Sequence, residues 1–185
     1  MKKHGTTLLL ILAFAAGLSL LLYPSLSDYW NSLHASRAVT GYAQQVQRMT
    51  GSDYDAMLAD ARDYNQALAA RENNYFLTDA QQSQYDSLLD VGGTGIMGYI
   101  EIPSIDVCLP IYHGTDDAVL QIAVGHVSWT SLPVGGAGTH CVLSGHRGLP
   151  SAKLFTNLDR LTEGDTFSIR VLDEVLTYAV DQILI

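Results

Sequence analysis

The sequence predicts a mainly β domain that follows an N-terminal transmembrane helix and a helical appendage. An apolar run covers residues 6–23, and from Met97 onward the apolar residues alternate with a period of two. Short strands with glycine- and proline-rich links are typical of a closed or sandwich-like β domain. The predicted segments are a membrane anchor over residues 1–24, a helical appendage over residues 25–94 and a β domain over residues 95–185.

The apolar run is long enough to cross a bilayer as a helix. Its 18 residues would extend about 27 Å at 1.5 Å per residue, close to the thickness of the hydrocarbon core. Lys2 and Lys3 precede the run and no lysine follows it closely, which places the N-terminus inside and the remainder outside. A cleaved signal peptide with Ser25-Leu26-Ser27 as its cleavage site is the alternative. Both interpretations place the β domain outside the cytoplasm.

Composition and charge exclude several classes of function. Only 16 % of the residues are charged and 48 % are hydrophobic, which is unlike a disordered chain. The net charge of −9 has no basic stretch to offset it, so nucleic-acid binding is not expected. Cys108 and Cys141 could form a disulfide outside the cell. There is no CxxC motif or His/Cys cluster, so neither a metal site nor a cofactor is predicted.

The appendage is predicted to be helical. Two segments carry one apolar stripe each at helical spacing: Tyr42, Val46 and Met49, then Met57, Ala61, Tyr64 and Leu68. Thr78 and Gln81 form a capping-box pattern that begins a third, short helix extending through Leu89. Stripes of this kind need a surface to pack against, so we expect these helices to dock on the β domain.

The β domain is predicted from alternation and turn residues. Apolar residues alternate over residues 97–102 and 105–111, and a hairpin is expected over residues 167–180 with its turn at Asp173-Glu174. Further strands are predicted at residues 121–124 and 140–145, and a short helix over residues 154–161. Residues 182–185 still resemble a strand with no turn after them. The sequence thus predicts a β domain that stops before its last strands.

The most informative motif is Ser144-Gly145-His146-Arg147-Gly148-Leu149-Pro150. It places His146 where an apolar strand gives way to a glycine- and proline-marked loop, a common position for a catalytic side chain. Histidine exchanges protons near neutral pH. His113 and His126 each stand next to a glycine as well, and lone histidines are often structural. From the residues alone, all three remain candidates.

Several motifs in order resemble class C sortases, the pilin-polymerising type. They are residues 95–103 (GIMGYIEIP), 109–115 (LPIYHGT), 124–126 (VGH), 130–136 (TSLPVGG) and 143–155 (LSGHRGLPSAKLF). Tyr29-Trp30-Asn31 and residues 61–65 (ARDYN) extend the resemblance into the N-terminal part. The matching order and spacing cover about half of the chain.

This resemblance implies a sortase-type eight-stranded β barrel and a cysteine transpeptidase. In such enzymes a thiolate attacks the threonyl carbonyl of an LPxTG-like sorting signal, and an amine, typically a pilin lysine in class C, resolves the acyl-enzyme. The family's active-site histidine maps onto His146, which would protonate the leaving amine and later accept a proton from the incoming one. The expected partners are therefore pilin or surface-protein sorting signals, an acceptor amine and the membrane.

The family's nucleophile has no counterpart among these residues. It belongs to a Thr-Leu-x-Thr-Cys motif on the seventh strand, with an oxyanion arginine on the eighth, and the chain ends before either. Cys141 lies five residues before His146, so on one strand the two side chains face opposite ways, about 16 Å apart. Cys108 lies opposite the apolar face of its strand, and Arg147 is not the oxyanion arginine. We therefore expect this chain alone to be inactive.

Two further readings stay open. The chain could be a truncated remnant or a membrane-tethered binding module that holds sorting signals without cutting them. A cysteine hydrolase that uses Cys141 is a third, disfavoured by the strand geometry. Many class C sortases also carry an Asp-Pro-aromatic lid, but Asp79 is followed by Ala80 here, so no lid is predicted at that position.

Overall fold

The structure of the chain is a computed structural model that describes residues 2–71 and 75–184, with the backbone only for residues 2–4. Helix α1 spans Lys2–Val46 as one continuous element with Pro24 inside it. A helix of 45 residues is about 68 Å long. It therefore runs without a break across the predicted boundary between the anchor and the appendage.

The first half of α1 is exposed and apolar. By length and composition the stretch Gly5–Val46 contains a segment that could cross a membrane, a property that a signal sequence near the N-terminus would share. The second half turns buried residues towards the β domain, among them Ala35, Tyr42 and Val46. The predicted stripe on this segment is thus confirmed for Tyr42 and Val46.

Two shorter helices follow. Helix α2 spans Gly51–Ala69 and buries Leu58, Ala61, Tyr64 and Asn65. Helix α3 spans Asp79–Ser87 and buries Tyr85. The predicted capping box of α3 is confirmed, because the Thr78 amide donates to Gln81 Oε1 at 2.9 Å. The helix ends at Ser87, two residues earlier than predicted.

Six strands form one curled sheet. They are β1 (Ile96–Ile102), β2 (Val107–His113), β3 (Val124–His126), β4 (Leu143–Ser144), β5 (Thr166–Val171) and β6 (Glu174–Ala179). Their order is β4-β3-β2-β1-β5-β6. Strands β2 and β3 pair in parallel and the other neighbours are antiparallel. Within the described residues the sheet does not close into a barrel.

The two faces of β1 have different neighbours. Ile100 and Ile102 are buried on the concave side of the sheet. Tyr99 points the other way and meets Tyr42 of α1 edge to face, with ring centroids 6.2 Å apart. The alternation predicted for this strand therefore separates an inner apolar surface from a surface covered by helices.

Four predicted elements differ from the structure. Residues 121–124 are mostly a turn between the short helix α4 (Asp117–Leu120) and β3, and the strand predicted over residues 140–145 is reduced to Leu143–Ser144. The helix predicted over residues 154–161 is a single 3₁₀ turn, Leu158–Arg160, because the Phe155 amide bonds back to His146 instead of within a helix. Residues 182–184 are not in a strand, and Ile185 lies outside the described residues.

Candidate active site

The loop after β4 carries His146. Strand β4 pairs with β3 through Gly125 with Ser144 and His126 with Leu143. His146 follows two residues later and is partly buried. Its carbonyl accepts a hydrogen bond from the Phe155 amide at 3.1 Å. This bond joins the end of β4 to the returning segment and holds the backbone of His146 in place.

Gly145 lets Phe155 approach closely. A Cβ at this position would lie 2.7 Å from Phe155 Cδ2, closer than real Cβ atoms come to carbon. Phe155 is itself buried, with 6 % of its surface exposed. The glycine is therefore required by the tight packing of the aromatic ring under His146.

The rest of the loop is held by its own contacts. The Gly148 amide donates to Thr156 Oγ1 at 3.0 Å, and Leu149 and Ala152 form an isolated β bridge. Arg147 pairs with Asp159 at 2.7 Å, but both side chains are about half exposed or more, so this ion pair adds little stability. The loop is thus held in shape mainly by hydrogen bonds to its own backbone groups.

An apolar trough of about 670 Å³ lies on the concave side of the sheet. Cys141, Leu143 and Phe155 line it beside residues of β1, β5 and β6. The rings of Phe167 and Tyr178 stack in its wall with centroids 5.3 Å apart. Since Phe155 also supports His146, the trough and the loop share one wall.

Neither described cysteine has the properties of an activated nucleophile. Both thiols are free, so the disulfide left open by the sequence is not formed. Burial raises the pKa of Cys141 to about 12. Burial also raises the pKa of the more exposed Cys108, with Glu101 adding to the shift. An attacking cysteine needs a lowered pKa, which is the opposite of what these sites provide.

His126 is a structural histidine. It is fully buried, and its Nε2 lies 2.8 Å from the Ser131 carbonyl, so Nε2 carries the hydrogen and Nδ1 accepts one from Tyr85 Oη at 2.9 Å. Burial, together with the neighbouring His113, lowers the pKa of His126 to about 4. A neutral imidazole enclosed in this way connects α3 to β3 and cannot reach a substrate.

His113 also serves the docking of the helical appendage. Its Nδ1 lies 3.0 Å from the Gly95 carbonyl and its Nε2 2.7 Å from the Leu88 carbonyl. Both ring nitrogens are therefore engaged by backbone just after α3 and just before β1. Of the three histidines that the sequence left open, His146 alone has a ring without such a closed set of partners.

Three buried polar side chains join the helices to the β domain, one from each helix. Tyr42 Oη accepts from the Leu172 amide at 2.7 Å and donates to the Met97 carbonyl at 3.1 Å. Asn65 bonds both peptide groups of Leu132, and Tyr85 Oη accepts from the Gly114 amide at 3.0 Å. These three roles were not predicted from the sequence. The signal that could have been used is Asn65, a polar residue that shares a helix face with Ala61 and Leu68.

Metal-ligand groups do not cluster in the described part of the chain, where no set of three or more His, Cys, Asp or Glu residues could hold an ion. His146 is partly buried, on the loop that shares Phe155 with the wall of the apolar trough. Histidine is the side chain that enzymes use most often as a general acid or base.

Comparisons with known proteins identify the family. The model of the sortase domain matches residues 100–185. Sortase C1 from Streptococcus agalactiae is 44 % identical with a TM-score of 0.76, over 79 % of this chain and 76 % of that one. Sortase C from Streptococcus pneumoniae is 38 % identical with a TM-score of 0.70, over 80 % and 75 %. Sortase C-1 from Actinomyces oris is 42 % identical with a TM-score of 0.63, over 70 % and 74 %.

No curated protein sequence matches the chain. The matches to solved structures are enough to assign the family, because their sequence identity and coverage are higher than those of proteins that share only a fold. The sequence motifs, the curled sheet and these matches agree. The chain therefore belongs to the sortase family, and its structural matches place it with the class C sortases.

Proposed function

We propose that the protein is a membrane-anchored, extracytoplasmic sortase that cleaves LPxTG-like sorting signals and transfers the acyl group to an amine. The observation that carries this proposal is the placement of His146 on a braced loop beside an apolar trough, in a chain of this family. Pilin polymerisation is the proposed outcome, since the sortase C of Streptococcus pneumoniae is described in terms of pilin substrate specificity.

The proposed reaction consists of two acyl transfers. A cysteine thiolate attacks the threonyl carbonyl, and collapse of the tetrahedral intermediate breaks the bond to the glycine nitrogen. The His146 imidazolium gives its proton to that nitrogen as the amine leaves. The acceptor amine then attacks the thioester, gives a proton back to His146, and releases the thiolate. The enzyme ends with the same protons with which it began.

The nucleophile in this scheme is the cysteine of a Thr-Leu-x-Thr-Cys motif, as the family resemblance implies. Cys141 and Cys108 are not assigned this role, because burial raises the pKa of each thiol. Residues 1–185 would then supply the proton carrier, the anchor and much of the sheet. The apolar trough beside Leu143 and Phe155 would exclude water from the acyl-enzyme.

Helix α1 supports the proposed location. Its first half exposes an unbroken apolar surface, and Tyr23, Tyr29 and Trp30 are exposed where that surface ends. Tyrosine and tryptophan are enriched at membrane interfaces. Lys2 and Lys3 before the apolar run also favour an N-terminus on the inner side, which supports the proposed position of the β domain outside the cytoplasm.

The test is peptide cleavage and transfer in detergent micelles by a full-length protein in which residues 1–185 continue into a Thr-Leu-x-Thr-Cys segment, as the proposed function requires. A fluorogenic peptide with an LPxTG-like signal should be cleaved, and an added amine should appear in the product. His146→Ala should lower turnover by about 10²- to 10⁴-fold, the range of general acid–base catalysis, while peptide binding persists. His34→Ala is the matched control, because His34 is exposed on α1 and bonds only the Trp30 carbonyl of its own helix turn.

Two outcomes would contradict parts of the proposal. Turnover that survives His146→Ala would remove His146 from the chemistry. Peptide binding by the full-length protein without any cleavage or acyl-enzyme would instead support a non-catalytic binding module on the same scaffold.

A further inference from the structure

We infer that Asp28 and Asn31 of α1 are positioning residues for the His146 loop, so that the anchor helix itself holds the proposed proton carrier in place. The inference rests on the proposed role of His146. It concerns the part of α1 directly after the apolar run, where two polar side chains lie one turn apart on the same face.

Both side chains bind the loop through its backbone. Asp28 Oδ1 accepts from the Lys153 amide at 2.8 Å. Asn31 Nδ2 donates to the Ser151 carbonyl at 2.8 Å. Asp28 Oδ2 also lies 3.3 Å from Lys153 Nζ, but the lysine side chain is 74 % exposed, so that ion pair is the weaker contact. Helix α1 thus binds the loop through backbone groups of Ser151 and Lys153.

The bound segment leads directly to His146. Two residues after Lys153, the Phe155 amide donates to the His146 carbonyl at 3.1 Å. The Phe155 ring packs against Gly145 so closely that a Cβ would not fit. Between these points Leu154 adopts a positive φ of 35°, a conformation that leucine avoids unless its surroundings impose it. A contiguous set of contacts therefore joins α1 to the backbone of His146.

The same contacts set the height of the loop above the membrane. Asp28 is five residues beyond Tyr23, the last residue of the apolar run, or about 7.5 Å along a helix. Because α1 is one continuous helix across this point, its outer half moves with the anchor. In the proposed membrane orientation, the loop bound to Asp28 and Asn31 is therefore held close to the lipid headgroups.

The experiment compares single variants in the full-length protein in micelles. Asp28→Ala removes the acceptor for the Lys153 amide and Asn31→Ala removes the donor to Ser151. Each should lower kcat about 5- to 20-fold with KM changed less than about twofold, because a small misplacement of a catalytic group reduces rate more than binding. Amide hydrogen exchange at Lys153 and Phe155 should become faster in the same variants.

Conservative variants separate positioning from general damage. Asp28→Asn keeps an oxygen for the Lys153 amide and should restore kcat and exchange protection. Lys153→Ala removes only the exposed ion pair and keeps the backbone amide, so it should resemble the wild type. Asn31→Asp loses the donor and should resemble Asn31→Ala.

The outcomes distinguish this inference from the proposal on which it rests. If His146→Ala abolishes turnover but Asp28→Ala and Asn31→Ala leave kcat and exchange unchanged, the positioning role is wrong and the proposed function stands. If His146→Ala leaves turnover intact, the role assigned to His146 is wrong and this inference falls with it, whereas a wild-type protein that cleaves no sorting-signal peptide would overturn the proposed function itself. If Asp28→Asn is as impaired as Asp28→Ala, the negative charge rather than the backbone contact matters, and the inference is overturned.

Discussion

Asn65 and Leu132 form a two-way hydrogen-bonded pair across the boundary between α2 and the β domain. Asn65 Oδ1 accepts from the Leu132 amide at 2.7 Å and Nδ2 donates to the Leu132 carbonyl at 3.1 Å. Both residues are buried. The side-chain amide thus satisfies two peptide groups that have no strand beside them.

Removing this pair should destabilise the protein. Asn65→Ala leaves the buried Leu132 amide without a partner, whereas the Leu132 carbonyl still accepts from the Val134 amide at 2.8 Å, so the expected cost is about 1–3 kcal/mol. The free energy of unfolding from urea titration of the full-length protein in micelles measures the loss. Gln66→Ala, at the next and exposed position, is the control and should change stability by less than about 0.5 kcal/mol.

Stability should fall as the pH is lowered from about 6.5 to about 4, because His126 is buried neutral with a pKa lowered to about 4. The unfolded chain binds a proton below about pH 6.5 that the folded protein does not bind until about pH 4. The loss attributable to His126 is about 3 kcal/mol at 1.36 kcal/mol per pKa unit, and it is complete below pH 4.

Urea titrations at several pH values, compared with His126→Gln, measure this contribution. The variant should be less stable at pH 7 but show a flatter decline between pH 6.5 and 4, since glutamine does not titrate. An equally steep decline in both proteins would assign the pH dependence to other groups.

Gly145→Ala should displace Phe155. The added Cβ would lie 2.7 Å from Phe155 Cδ2, while Gly145 does not have a positive φ, so the conflict is steric rather than conformational. Overpacking of this kind costs about 1–3 kcal/mol, and turnover should fall further because the His146 backbone moves with the ring. Gly41→Ala is the control, since nothing lies within 4 Å of its Cβ. Unchanged melting and turnover in Gly145→Ala would contradict the packing argument.

Cys141 should resist alkylation. A thiol whose pKa is raised to about 12 is almost entirely protonated at pH 8, and the thiolate is the reacting form. Its reaction with iodoacetamide should be on the order of 50-fold slower than that of a free thiol, after allowance for its higher nucleophilicity. Peptide mapping by mass spectrometry follows the labelling of Cys141 separately from that of every other cysteine. Labelling in urea, where burial is lost, should be fast and serves as the control.

The sequence predicted the elements with regular periodicity. Strands β1, β5 and β6 were predicted because apolar residues such as Ile100 and Ile169 alternate with polar ones, and α3 because its capping box is a local signal. The prediction of a helix over residues 154–161 was wrong. Leu154 and Phe155 are buried although they belong to an irregular loop, and in a loop the spacing of apolar residues does not indicate a helix.

The site could be predicted only in part. A local motif singled out His146, but three glycine-flanked histidines cannot be ranked without tertiary contacts. The structure separates them, because His126 and His113 bond to partners up to 41 residues away in the chain. The contacts of Asp28 and Asn31 join residues 120 or more apart, which no local pattern encodes.

The way in which α1 and α2 are attached to the β domain affects which substitutions the protein can accept during evolution. Tyr42 and Asn65 bind the peptide groups of Met97, Leu172 and Leu132, which every amino acid except proline provides. Substitutions that keep these sites apolar therefore leave the recognised atoms in place. The sequences of the helical segment and of the sheet can therefore diverge independently while the position of the helices on the sheet stays the same. Chimaeras that exchange the helical segment between related proteins should dock correctly as long as the tyrosine and the asparagine are retained.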